Sequence, residues 1–231
     1  MSRIAPLPRR NRLLASCAVS AVAALLVQVP GRAQTIPGFQ GSASPVNNGA
    51  TVSTSTETNG TLVTVNSPRA IINWTPSDNR VGTPDPIDFL PTGQRADFVN
   101  SVNRPGQDYI VLNRILPTDQ GRVVAFNGAV RSTLSTRAGE APGGQVWFYN
   151  AGGILVGATG SFNVGSLLLT ANDLNDQQSF LSGNDAYSFT AAPGSGAAVE
   201  VQGSIAARGT NAYVALLAPR VVQSGAVTAN G

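Results

Sequence analysis

The chain has 231 residues, with 15 Arg, no Lys, no His, one Cys and 12 Asp plus Glu. Without His or Lys, a Ser-His-Asp triad, a His-ligated metal and a Lys base are excluded. Five of the 15 Arg lie at or before Arg32, so the chain from residue 34 keeps 10 Arg against 12 carboxylates, a net charge of −2; no basic stripe with interleaved aromatics is left for nucleic acid.

Arg3, Arg9, Arg10 and Arg12 make a basic start, and Leu13 to Val29 is apolar apart from Ser16, Ser20 and Gln28. Pro30-Gly31 breaks that run, and Gly31-Arg32-Ala33 offers small residues at both positions a signal peptidase reads. Residues 1–33 are therefore predicted to be a signal peptide cut between Ala33 and Gln34. The run is at the short limit for a membrane span and lacks a basic stop-transfer cluster, so the mature chain is predicted to have no membrane span. Cys17 leaves with the leader, which removes any disulfide or thiolate metal site.

Residues 34–60 read as a polar lead-in and cap, rich in Gly, Ser, Thr, Asn and Pro, with a strand near Ala50 to Ser55. Thr61 to Trp74 predicts two strands around a Ser-Pro turn. Ser77 to Gly93 predicts a loop; Asp85 and Asp88 within it read as solvated turn residues before they read as a catalytic pair. Ala96 to Val99 and Tyr109 to Ile115 predict strands, as do Val123 to Val130 and Gln145 to Val156, with a polar excursion from Arg131 to Gly144. Asn172 to Asn184 predicts a polar loop with Leu174, Phe180 and Leu181 turned inward, and Ala186 to Ala192 a hairpin. Asp173, Asp176 and Asp185 lack the spacing of a calcium repeat. Trp74 and Trp147 are expected in the core.

Gln145 to Leu174 carries most of the fold information. VWFY, ILVG, FNVG and LLL are each too short for a helix, and Gly or Asn closes most of them, which predicts short strands and tight turns. Val199 to Gly209 aligns with Val221 to Gly231 at an offset of 22, and Phe126-Asn127 with Tyr149-Asn150 at 23. The predicted fold class is all-β: a single-stranded parallel β-helix, a solenoid with coils of about 22 residues, with short antiparallel capping strands. A leucine-rich repeat of similar period lacks its leucine ladder here. The pattern is still running at Gly231, so residues 61–231 are expected to continue in a longer parent protein.

An ordered set of motifs then carries a resemblance: Pro68-Arg-Ala-Ile-Ile-Asn-Trp74, Ala96-Asp-Phe-Val99, Tyr109-Ile-Val-Leu-Asn-Arg-Ile115, Phe126-Asn127-Gly128, Gly203-Ser-Ile-Ala-Ala and Tyr213-Val-Ala-Leu-Leu-Ala-Pro-Arg-Val-Val222. Together they resemble the N-terminal secretion domain of filamentous haemagglutinin-type exoproteins, the two-partner secretion family, over most of Thr61 to Gly231. That family's Asn-Pro-Asn-Gly motif maps onto Asn150-Ala151-Gly152-Gly153, matching at Asn150 and Gly153. The resemblance implies a right-handed β-helix and a non-catalytic, adhesin-like exoprotein without metal or cofactor. It implies export through the periplasm to the cell surface or medium, with a POTRA-bearing outer-membrane β-barrel transporter as partner. Host or neighbouring-cell ligands would bind through downstream regions. Candidate transporter-recognition or turn residues are Asn150, Gly153, Asn113, Arg114, Asn127 and Gly128. Two alternatives stand beside it: a β-helix polysaccharide-active enzyme built on carboxylates, and the delivery end of a contact-dependent toxin.

Overall fold

The computed structural model describes residues 37–55 and 57–231; the predicted leader and its cleavage point at Ala33 and Gln34 lie outside the described residues. The described chain is all-β, with 21 strands, one 3-10 turn and one short helix. β1 (Gly41–Pro45), the 3-10 turn (Val46–Asn48) and β2 (Ala50–Ser55) come first. The chain then makes repeated passes of three strands. The first pass is β3 (Gly60–Val65), β4 (Arg69–Pro76) and β5 (Ile87–Leu90); the second is β6 (Arg95–Asn100), β7 (Ile110–Ile115) and β8 (Val124–Phe126). In the third, β9 (Ala129–Thr136) is followed by β10 (Gly139–Pro142), β11 (Gln145–Tyr149) and β12 (Gly153–Val156). The fourth has β13 (Ser161–Val164) and β14 (Ser166–Thr170), then an excursion of β15 (Asp173–Leu174), α1 (Gln177–Leu181) and β16 (Phe189–Thr190), and returns as β17 (Ala198–Val201). The fifth is β18 (Ser204–Arg208), β19 (Val214–Leu217) and β20 (Arg220–Gln223), and β21 (Ala226–Asn230) opens a sixth.

The first strands of the passes form sheet 1, the second strands sheet 2 and the third strands sheet 3. Successive passes pair in parallel within each sheet. The sheets are nevertheless mixed, because β1 joins β4, β2 joins β3 and β10 joins β9 antiparallel, and β15 pairs antiparallel with β16 alone.

Strand composition follows from what each face meets. β6, Arg-Ala-Asp-Phe-Val-Asn, alternates half-buried with buried side chains, as a strand with one solvated face must. β14, Ser-Leu-Leu-Leu-Thr, is buried on both faces because the excursion covers its outer one. Between the sheets runs a column of rings. Phe39 stacks on Phe89 at 4.8 Å, and Phe126 meets Phe148 at 4.8 Å and Phe162 at 5.6 Å edge-on. Burying each ring contributes about 1.5–3 kcal/mol. Phe39, ahead of β1, fills the N-terminal end of this column.

At the corner from sheet 3 back to sheet 1, the passes approach too closely for side chains. A Cβ on Gly128 would stand 2.4 Å from the Gln94 carbonyl oxygen, on Gly203 2.1 Å from that of Gly160, and on Gly225 1.9 Å from that of Gly203. Glycine at this corner is therefore a requirement of stacking distance.

Five expectations are corrected, wholly or in part. The predicted loop 77–93 contains β5, a four-residue strand with a register shift between Asp88 and Leu90, too short and too flanked by Pro to stand out. The excursion 131–144 is a hairpin of β9 and β10, and the hairpin expected at 186–192 is instead β16 closing on β15. The repeat of about 22 holds at Val199 with Val221 and Ile205 with Val227. Earlier, Thr61, Ala96, Val130, Phe162 and Ile205 stack at intervals of 35, 34, 32 and 43 residues, because loops and excursions lengthen each pass. Phe126 and Tyr149 do not stack on one another: Phe126 pairs with Val156 in sheet 3, Tyr149 with Arg114 in sheet 2.

Candidate functional site

Four of the six candidate residues lie at one end of sheet 2 and the corner after it. Asn113 occupies an interior position between Ile72 of β4 and Phe148 of β11. Its Oδ1 accepts a hydrogen bond from Trp74 Nε1 at 3.0 Å, and its amide nitrogen donates to the Trp147 carbonyl at 3.2 Å. Asn150 follows β11, and its Nδ2 donates to the Ile115 carbonyl at 3.1 Å. Its backbone N–H donates to the Thr170 carbonyl at 3.1 Å, and its own carbonyl accepts from Gly153 N–H at 3.0 Å. Both Asn side chains belong to residues 0% exposed. Gly153 has φ +107°, and a Cβ there would stand 2.5 Å from the Ala198 carbonyl oxygen. Its neighbour Gly152 is equally confined, 2.2 Å from the Arg122 carbonyl by the same measure. This corner is thus built of an interior amide bridging passes and two glycines pressed against the passes on either side.

Arg114 points the other way, onto the outer face of sheet 2. Its Nη2 lies 2.5 Å from Asp173 Oδ2, its Nε donates to Asp173 Oδ1 at 3.2 Å, and its guanidinium sits 5.6 Å from the Tyr149 ring centre. Asn127 and Gly128 occupy a different corner. Both backbone N–H groups donate to the Leu90 carbonyl, at 2.7 and 2.8 Å, and Asn127 Nδ2 donates to Asp88 Oδ1 at 2.9 Å. The structure therefore does not gather the six residues into one surface.

Sequence reasoning missed two arginine centres. Arg122, its side chain 2% exposed, donates to both Asp78 carboxylate oxygens at 3.0 and 2.8 Å, to the Asp85 carbonyl at 3.1 and 2.9 Å, and to the Arg80 carbonyl at 3.2 Å. It fastens the Pro-rich loop between β4 and β5. Hydrogen bonds from Arg80 and then Arg122 hold the Asp78 carboxyl well below the usual carboxylate range. Arg69, in β4, donates to the Asn184 carbonyl at 2.8 Å and to Tyr187 Oη, and pairs with Asp185. No local signal marks either arginine, since each is defined by partners distant in sequence.

The candidate carboxylates are dispersed. Asp85 faces Arg80 at 3.6 Å, Asp88 holds Asn127, Asp173 and Asp185 hold arginines, and Asp176 accepts from the Ser179 N–H at the start of α1. Among the described residues no group of three His, Cys, Asp or Glu stands together as a metal site, and no helix is long and apolar enough to cross a membrane. Trp74 and Trp147 are both buried, as expected. Trp147 Nε1 donates to Tyr213 Oη at 2.8 Å, beside an open apolar groove walled by Tyr187, Phe189 and Leu217.

No protein-family model matches the sequence, and comparison with curated proteins gives no match. Among solved structures the fold is similar to the crystal structure of the HMW1 secretion domain from Haemophilus influenzae, with a TM-score of 0.58 and 19% sequence identity. The likeness covers 82% of this chain and 42% of that one, so the chain spans less than half the length of the structure it matches. At this identity the likeness is one of fold.

Proposed function

We propose that this chain is a secretion-related exoprotein domain: the N-terminal, non-catalytic export module of a two-partner-secretion protein, folded as a right-handed single-stranded parallel β-helix. Its partner in this reading is a POTRA-bearing outer-membrane β-barrel, its destination the cell surface or medium, and its parent an adhesin-like protein. The observation that carries the reading is the repeated passage through the same three sheets, closed at the N-terminal end by Phe39 and antiparallel β1 and β2. A closed first coil supplies a surface on which later coils stack one by one. The fold likeness to a secretion domain supports the same assignment.

Burial refines how a transporter would meet the chain. Asn113, Gly128, Asn150 and Gly153 are all buried once the coils have stacked. A partner that reads these residues does so on the unfolded chain, and after folding they serve the stack. The test is co-expression of the parent protein with and without a POTRA-bearing barrel, scoring protease accessibility of residues 37–231 at the surface of intact cells. Barrel-dependent exposure that is lost in Asn150→Leu is expected. Equal exposure without the barrel defeats the reading.

A further inference from the structure

A plain stack of passes holds each layer only through its neighbours, so its ends can fray independently. This chain carries a second apolar surface outside the stack that breaks that rule. Ile71, Leu112, Trp147 and Leu168 lie in register on the outer face of sheet 2, one from each of the first four passes. The excursion after β14 lies over this row. Its Leu174 and Phe180 are buried there, and Leu181, Tyr187 and Phe189 pack against the same cluster. Trp147 is ringed by Phe180 at 5.6 Å, Tyr187 at 5.1 Å and Phe189 at 6.2 Å.

Two arginines of the stack fix the excursion in place. Arg69, in the first pass, reaches Asn184, Asp185 and Tyr187, and lies 5.6 and 5.5 Å from the ring centres of Phe180 and Tyr187. Arg114, in the second pass, holds Asp173. β15 and β16 pair only with each other, so among the described residues the excursion is attached to the stack by side chains and not by a shared strand ladder. Arg69 and Tyr187 are 118 residues apart.

The geometry points to a clasp: residues 173–189 tie the first four passes into one cooperative unit, and the clasp closes after β4, β7, β11 and β14 are in place. Opening it exposes the whole row at once and leaves two arginines without their carboxylate partners, so the passes beneath lose stability together. The inference does not depend on the chain being exported.

The two tryptophans separate the clasp from the stack. Trp74 lies inside the stack and Trp147 under the clasp, so Trp147→Phe and Trp74→Phe give single-tryptophan reporters of each. In the otherwise unchanged full chain, each tryptophan signal is expected to share its urea midpoint with the far-ultraviolet circular dichroism of the same variant. With Arg69→Ala and Arg114→Ala added, the Trp147 signal is expected to change at lower urea than the circular dichroism of its own variant, and the Trp74 transition to become shallower. If each signal still falls with the circular dichroism of its own variant at unchanged slope, the clasp does not couple the passes. Hydrogen exchange on the unsubstituted chain gives a check that needs no variant. The β15–β16 amides are expected to exchange as slowly as those of β11, whereas exchange ~100-fold faster (about 2.8 kcal/mol at ~1.4 kcal/mol per tenfold) overturns the proposal.

Discussion

Asn113 Oδ1 accepts a 3.0 Å hydrogen bond from Trp74 Nε1, joining the first two passes inside the apolar interior across 39 residues of sequence. An amide in such a place stabilises only while both partners are present, because a buried donor left alone loses its hydration without return.

Asn113→Leu is therefore expected to cost about 1–3 kcal/mol by stranding the indole N–H. Trp74→Phe in the same background is expected to recover part of that loss, since no donor is then orphaned, against the cost of a smaller ring. Urea unfolding of the double-mutant cycle measures the coupling; simple additivity contradicts this account of the pair.

Phe39 is expected to matter more than its place in a polar lead-in suggests. It is 1% exposed and touches Trp74, Phe89 and Phe148. Phe39→Ala should destabilise by about 3–5 kcal/mol, whereas Val81→Ala, on an exposed loop, should stay within about 0.5 kcal/mol. Equal midpoints for the two variants would show that Phe39 does not close the stack.

The corner glycines are expected to divide by space. Gly153→Ala meets both a positive φ and the Ala198 carbonyl, and Gly203→Ala meets the Gly160 carbonyl. Each should cost about 1–3 kcal/mol or more through overpacking. At Gly196 a methyl group would meet nothing within 4 Å, and φ is ordinary; Gly196→Ala is expected to be neutral or stabilising by up to about 1 kcal/mol. Thermal midpoints of the three variants, read side by side, decide it.

Acid sensitivity is expected to trace in part to Asp78. Its folded pKa is depressed by Arg80 and Arg122, so its stabilisation is complete above the unfolded carboxylate value near ~3.9 and fades as pH falls below it. Asp78→Asn should be less stable than the parent at pH 7 and should lose less further stability between roughly pH 5 and pH 2. Urea midpoints measured across that range check the sign. Parallel loss in both proteins places the acid sensitivity elsewhere.

The sequence was legible where the information is local. β2, β3, β4, β6 and β7 fall where β-branched and aromatic residues run between turn residues. The final repeat at an offset of 22 is realised in the pairing of Val199 with Val221 and Ala207 with Ala229. It was not legible where one pass had to be matched to another. Phe126-Asn127 and Tyr149-Asn150 look alike along the chain yet end different sheets, because the loops between them decide which strand each residue can reach. Arg122 and Arg69 carried no local mark for the same reason: their partners are 37 to 118 residues away.

Composition and turn chemistry thus determined an all-β chain of short strands cut by Gly and Asn, since strand preference and left-handed turns are properties of a few adjacent residues. The tertiary structure alone decided that Asn113 and Asn150 face inward, that Arg114 faces outward to Asp173, and that residues 173–189 fold over four passes at once. The reason is register: alternate side chains of a strand point to opposite faces, so the side on which a residue lies is set by the strands stacked on either side of it.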